Sequence, residues 1–140
     1  METLTDYDQT RYNRQMLIHG WGEEGQTKLK ASRVFIAGAG GLGSPVSIYL
    51  AVAGIGEMRI CDADKLELSN LNRQILHTEK RVGEMKSASA AKTLRQLNPT
   101  INIMAYSDYI DENSIETVVG KPDIIVDCLD NNAPSLFVFR

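Results

Sequence analysis

The feature that most constrains this chain is Arg33-Val-Phe-Ile-Ala37 followed at once by Gly38-Ala-Gly-Gly-Leu-Gly43. A short apolar run ending in glycines is the pattern of a parallel strand buried on both faces. Beyond the glycines, Leu42, Val46, Tyr49, Leu50 and Ala53 recur at helical spacing, so a helix with that face turned inward is expected. Pro45 fits its first turn, where backbone N–H groups have no helical partner to lose, and Gly54 and Gly56 end it. Strand, glycine loop and helix in this order let backbone N–H groups approach a phosphate, which the positive end of the helix dipole also favours. Asp62 closes a second strand-like run, Glu57-Met-Arg-Ile-Cys-Asp62, about 20 residues after the last glycine. A carboxylate there can accept hydrogen bonds from ribose hydroxyls. Gly38, Gly40, Gly43 and Asp62 are therefore candidate nucleotide-binding residues.

The alternation continues along the chain. A helix is expected over 84–98, with Ser87, Ala90, Leu94 and Leu97 on one side, then a strand over 101–106, a short helix over 112–119 and an apolar strand over 123–128. Strands alternating with helices imply right-handed crossovers, hence an α/β fold whose mostly parallel sheet of about four strands is flanked by helices. Residues 10–30 are helical in pattern but broken at Gly20-Trp21-Gly22, which predicts two short helices with Trp21 as a packing anchor. Residues 1–32 thus form an N-terminal helical segment and 33–140 the nucleotide-binding domain.

At 140 residues, 43% hydrophobic and 24% charged, the composition suits one ordinary globular domain. The net charge of −3 gives no electrostatic reason to seek nucleic acid or an anionic membrane. No apolar run nears the roughly 20 residues that span a bilayer, and the polar start lacks the parts of a signal peptide, so a cytoplasmic location is expected. Cys61 and Cys128 lack C-x-x-C spacing, which excludes a disulfide framework and a four-cysteine zinc site. Both fall in expected strands, where burial raises a thiol's pKa and leaves it inert. His19 and His77 are isolated, without a metal-ligand partner at helical or loop spacing.

The stretch after Asp62 separates nucleotides. A dinucleotide dehydrogenase normally continues from its second strand into a helix, whereas a dense polar segment here carries Asp64, Asn70, Arg73 and Gln74 past the strands' carboxyl ends. Carboxamide and guanidinium groups so placed can hold a polyphosphate and stabilise charge moving onto a leaving pyrophosphate. Lys86, in the first turn of the next helix, is near enough in sequence to join them. Asp130 follows the fourth strand, where a carboxylate beside a triphosphate is a natural Mg²⁺ ligand. The glycine loop and Asp62 also permit an NAD-dependent oxidoreductase; this segment and the lack of a substrate domain weigh against it.

Arg11-Tyr-Asn-Arg-Gln15, Gly38-Ala-Gly-Gly-Leu-Gly43, Asp62-Ala-Asp with Ser69-Asn-Leu-Asn-Arg-Gln74, Gly83-Glu-Met-Lys86 and Asp127-Cys-Leu-Asp-Asn131 stand in one order with compatible spacing. Together they resemble the MoeB/ThiF/HesA family, bacterial and archaeal relatives of ubiquitin-activating enzymes. The resemblance implies a Rossmann-like fold, of which this chain is the first half of the ThiF type. It also implies ATP-dependent adenylation, with Mg²⁺, of the C-terminal glycine of a ubiquitin-like or sulfur-carrier protein ending in Gly-Gly. By the same resemblance Gly41 lies against the nucleotide, Asp62 holds ribose, Asn70, Arg73 and Lys86 contact phosphates, and Asp130 binds Mg²⁺. Arg14 would reach the phosphates from the other subunit of a homodimer. The family's second half, with its cysteine-bearing crossover and frequent C-x-x-C zinc ligands, has no counterpart here. That, the apolar end Ser135-Leu-Phe-Val-Phe-Arg140 and an uncovered fourth-strand edge lead to the expectation of a domain truncated at its C-terminal end. A nucleotide-binding or dimerising fragment without turnover is the alternative.

Overall fold

A computed structural model describes residues 3–130, so the expectations placed on the apolar end at 135–140 lie outside the described residues. Helix α1 (Asp6–Arg11) starts at a capping box, in which Thr5 Oγ1 accepts from the Asp8 amide at 3.2 Å and the Asp8 carboxylate accepts from the Thr5 amide at 2.8 Å. Helices α2 (Asn13–Met16) and α3 (Gly22–Ala31) follow. The expected break around Gly20–Gly22 is present, but a further one at Tyr12 makes three helices rather than two. Tyr12 is buried, and its hydroxyl accepts from Asn98 Nδ2 at 2.7 Å, a tertiary contact that competes with a continuous helix. Lys30 Nζ, 2.8 Å from Asp8 Oδ2, ties α1 to α3.

Four parallel strands form the sheet: β1 (Arg33–Ala37), β2 (Glu57–Cys61), β3 (Asn102–Tyr106) and β4 (Ile124–Asp127), in the order β3-β2-β1-β4. Helices α4 (Gly43–Ala53) and α5 (Lys86–Leu97) cover one face, where Val34, Ile36, Met58, Ile60 and Ile103 pack with Ala51, Ala90 and Leu94. On the other face Phe35, Ala37 and Cys61 pack with Val118 and Val119 of α6 (Ile115–Val119). This is the expected α/β, Rossmann-like architecture. The chain runs outward from β1 through β2 to β3 and then returns to β4 on the opposite side of β1. In open α/β sheets ligands occupy the crevice at such a reversal, beyond the strands' carboxyl ends. Among the described residues no helix is long and apolar enough to cross a membrane.

The expected inward face of α4 is corrected in part: Val46 and Leu50 are half-buried and pack against the core as expected, but Leu42 and Tyr49 do not. Leu42 and Tyr49 are 67% and 73% exposed, whereas Ser44, Ser47 and Ala51 are fully buried. Close packing of the helix against the sheet and glycine loop demands small side chains. The two serines satisfy their hydroxyls on nearby carbonyls: Ser44 Oγ donates to Gly40 O at 2.6 Å and Ser47 Oγ to Ser44 O at 3.1 Å. On α5, Ser87, Ala90 and Leu94 are buried as expected, but Leu97 in the last turn is exposed.

Candidate functional site

Three loops leave the sheet side by side. The Gly38 amide donates to Cys61 O and the Cys128 amide to Ala37 O, both at 2.8 Å, so the turns after β1, β2 and β4 share one rim. Asp62, just past β2, accepts from the Ala39 amide through Oδ2 and from the Asp64 amide through Oδ1, each at 2.9 Å. One carboxylate thereby orients the glycine loop and the start of the polar segment.

That segment then crosses the glycine loop almost residue by residue. The Arg73 side chain runs along Gly41, the Gln74 amide lies against Gly40, the Leu76 amide donates to Ser44 Oγ at 3.4 Å, and the His77 ring meets Ala39 O. Asn70 stands in a short 3₁₀ turn; its Oδ1 accepts from the Glu67 amide at 2.9 Å, which leaves Nδ2 as the donor it can offer a ligand. The Arg73 guanidinium rests on Asn72 Oδ1 at 2.9 Å and Ser69 O at 3.3 Å and stays exposed beside the loop. The Asp64 side chain is exposed and its carbonyl accepts from the Lys86 amide at 2.9 Å, bringing the start of α5 to the same rim.

One buried polar atom lacks a partner among the described residues, and one largely buried side chain ends in a cation without an ion pair. Gln74 is 4% exposed, yet its Oε1 accepts no hydrogen bond. Lys86 is 8% exposed, and among the described residues nothing pairs with its ammonium by ion pair or hydrogen bond. Buried polar groups are ordinarily satisfied, so the orphaned Gln74 Oε1 suits a ligand that brings a hydroxyl or amino donor, while the Lys86 ammonium and the glycine-loop amides suit an anionic part; a nucleoside triphosphate offers both. Asp130 is exposed just beyond β4. The described residues contain no group of three or more His, Cys, Asp or Glu suited to a metal, so Asp130 could offer Mg²⁺ one carboxylate, with phosphate oxygens needed for the rest.

Arg14 is not brought to this rim within its own chain. It is exposed on α2, whose next residue, Gln15, donates to Ala53 O at 2.7 Å at the far end of α4. At about 1.5 Å per residue, α4 places roughly 15 Å between Ala53 and the glycine loop.

Cys61 is a buried strand thiol as expected, whereas Cys128 falls one residue past the end of β4 and is half-buried. Burial, reinforced by Asp62 and Asp108, pushes the Cys61 pKa up to about 12, and burial raises Cys128 as well. At pH 8.5 iodoacetamide is expected to alkylate Cys61 at least about 100-fold more slowly in the folded chain than in urea, because the thiolate is the reacting species. Mass spectrometry of quenched samples reads this, and equal rates would contradict it. His77, by contrast, is neither isolated nor exposed. Its partners are a backbone carbonyl and Ser89, which no ligand spacing encodes; the one sequence signal was its place after Ile75-Leu76, an apolar pair inside a polar stretch.

The profile of the ThiF family matches residues 12–140. The molybdopterin-synthase adenylyltransferase of Escherichia coli K12 is 42% identical over 133 residues, which are 95% of this chain and 53% of that protein. The adenylyltransferase and sulfurtransferase MOCS3 of Xenopus laevis is 44% identical over 128 residues, 91% of this chain and 28% of that one. The E. coli tRNA N6-threonylcarbamoyladenosine dehydratase TcdA, solved in complex with AMP, superposes with a TM-score of 0.86 at 26% identity, covering 96% of this chain and 55% of that one. The chain thus spans about half or less of the length of these relatives. The glycine loop, the acid after β2, the crossing segment and Lys86 all fall within the matched residues, and the chain belongs to the ThiF family.

Proposed function

We propose that this chain binds ATP at the rim of β1, β2 and β4 and serves the adenylation of the C-terminal glycine of a ubiquitin-like or sulfur-carrier protein ending in Gly-Gly. The observation that carries the reading is the largely buried Lys86 side chain, with no ion-pair partner among the described residues, close to a glycine loop overlaid by Arg73 and Gln74. A dehydrogenase site has no need of such a polycationic, amide-rich edge. In the reaction a carboxylate oxygen of the carrier attacks the α-phosphorus, the bond to the bridging oxygen of the β-phosphate breaks, and pyrophosphate leaves with its electron pair. No covalent enzyme nucleophile and no proton transfer are needed, so the residues have only to align two anions and neutralise developing charge.

Within that scheme Gly38, Gly40, Gly41 and Gly43 admit the phosphates to backbone amides, Asp62 and Asp64 serve the ribose side, and Asn70, Arg73, Gln74 and Lys86 hold the phosphates. Mg²⁺, held by Asp130 and the nucleotide, would offset phosphate charge. The position of Arg14 at the far end of α4 supports a homodimer in which it completes the partner's site. A cytoplasmic location, where ATP is supplied, completes the reading.

Isotope exchange between pyrophosphate and ATP, run with Mg²⁺ and candidate carriers ending in Gly-Gly, is expected to be carrier-dependent. ATP binding with no exchange for any carrier would sink the catalytic claim and leave a nucleotide-binding fragment. Preference for NAD over ATP would overturn the nucleotide assignment itself.

A further inference from the structure

We infer that His77 is a positioning residue for the nucleotide, gripping the Ala39 carbonyl so that the glycine loop keeps its amides turned toward the phosphates. The inference rests on the ATP reading above. His77 is 7% exposed, with Nε2 2.7 Å from Ala39 O and Nδ1 2.8 Å from Ser89 Oγ. A carbonyl can only accept, so Nε2 carries the proton and Nδ1 of the neutral ring accepts from the Ser89 hydroxyl.

The same Ala39 is held from its other side, its amide donating to Asp62 Oδ2 at 2.9 Å. Its N–H and C=O are thus both fixed, one by the acid after β2 and one by the imidazole. Ser89 lies one turn beyond Lys86 on α5, so the ring also couples the glycine loop to the helix bearing that cation. The helix side of the link is itself braced. Arg81 donates to Ser89 O at 3.0 Å and to Thr93 Oγ1 at 2.6 Å, and Thr93 Oγ1 bonds Leu76 O.

Burial holds the imidazole below its ordinary pKa of 6.5; the Ala39 carbonyl opposes this, Lys86 reinforces it, Asp62 opposes it and Arg81 reinforces it. The ring is therefore neutral at pH 7, as a single-donor clamp requires. An apolar side chain of similar volume would fill this space without needing two polar partners. What the imidazole adds is a directed N–H on a loop whose amides are its function.

The test compares wild type, His77→Gln and His77→Leu in the whole chain, with ATP affinity read by calorimetry in Mg²⁺ and folding by urea titration. Glutamine can place an amide N–H near the position of Nε2; leucine fills the volume without a donor. His77→Leu is expected to bind ATP about 10-fold more weakly, because a buried carbonyl loses its partner. His77→Gln is expected to recover affinity to within about 3-fold of wild type. Unchanged affinity in folded His77→Leu, or no recovery in His77→Gln, overturns the clamp while leaving the ATP reading intact. A wild-type chain that binds no ATP overturns that reading and this one together. Should His77→Leu not fold, ¹⁵N spectra of the wild-type ring decide: an Nε2-protonated tautomer supports the clamp and an Nδ1-protonated one overturns it.

Discussion

Replacing Gly43 by alanine is expected to cost about 3 kcal/mol of stability or more and to abolish ATP binding. A Cβ built on Gly43 falls 1.9 Å from Gly38 O and 2.8 Å from Gly38 C. No rotamer relieves a Cβ, so backbone must move. Gly38 cannot retreat: its amide is bonded to Cys61 O at 2.8 Å, and its α-carbon sits where a side chain would meet Cys128 O at 2.7 Å. At φ +102° it already adopts a conformation that L residues avoid. The remaining escape is to lift α4 from β1, which opens the core around Ala51 and disperses the loop amides. Gly41→Ala is the internal comparison, since its Cβ would meet only the Arg73 side chain at 3.7 Å. Urea titrations should therefore separate the two variants sharply, Gly41→Ala remaining within about 0.5 kcal/mol of wild type. Equal stability for both would show that the loop is not packed as described.

What the sequence made legible follows from which forces leave a mark in residue type. The Gly43 contact excludes every side chain, so the glycine spacing had to be visible, and with it the strand before and the helix after. The two-sided burial of Phe35 and Ile36 likewise wrote itself as an uninterrupted apolar run. The inward face of α4 was only partly visible, through Val46 and Leu50, because close approach selected size over hydrophobicity at its centre. Serines that bond nearby backbone carbonyls can be buried, and the bulky Leu42 and Tyr49 are turned out. The break at Tyr12 was hidden for a different reason: it depends on Asn98, which lies far along the chain and donates both to Tyr12 and to Ala51 O. His77 combines both obstacles, a polar residue whose partners are remote and partly backbone. In the candidate site, the acidic and basic residue types were readable, while the packing of Arg73 and Gln74 against the loop is a tertiary fact.

Lys86→Met is expected to show the opposite signature to Gly43→Ala, with stability held or raised by up to about 1 kcal/mol and ATP affinity down about 100-fold. Lys86 opens α5, where the helix dipole disfavours a cation, and Met85 before it supplies no side-chain cap. The side chain is 8% exposed and no ion pair to it is present among the described residues, so removing its charge breaks no such contact in the fold. Methionine keeps a flexible apolar stem in the same space and removes the cation from the helix N-terminus. A triphosphate reverses the balance, because a buried ammonium facing phosphate loses several kcal/mol of interaction when truncated. A 100-fold loss corresponds to about 2.7 kcal/mol, within that range. Lys86→Arg should not restore full affinity, since a planar guanidinium is larger than an ammonium and presents its donors in a different, fixed geometry. Paired urea and calorimetric titrations decide the matter. Lower stability with unchanged ATP affinity would make Lys86 a structural cation, whereas gain in the fold coupled to loss in binding is the mark of a residue kept for its ligand.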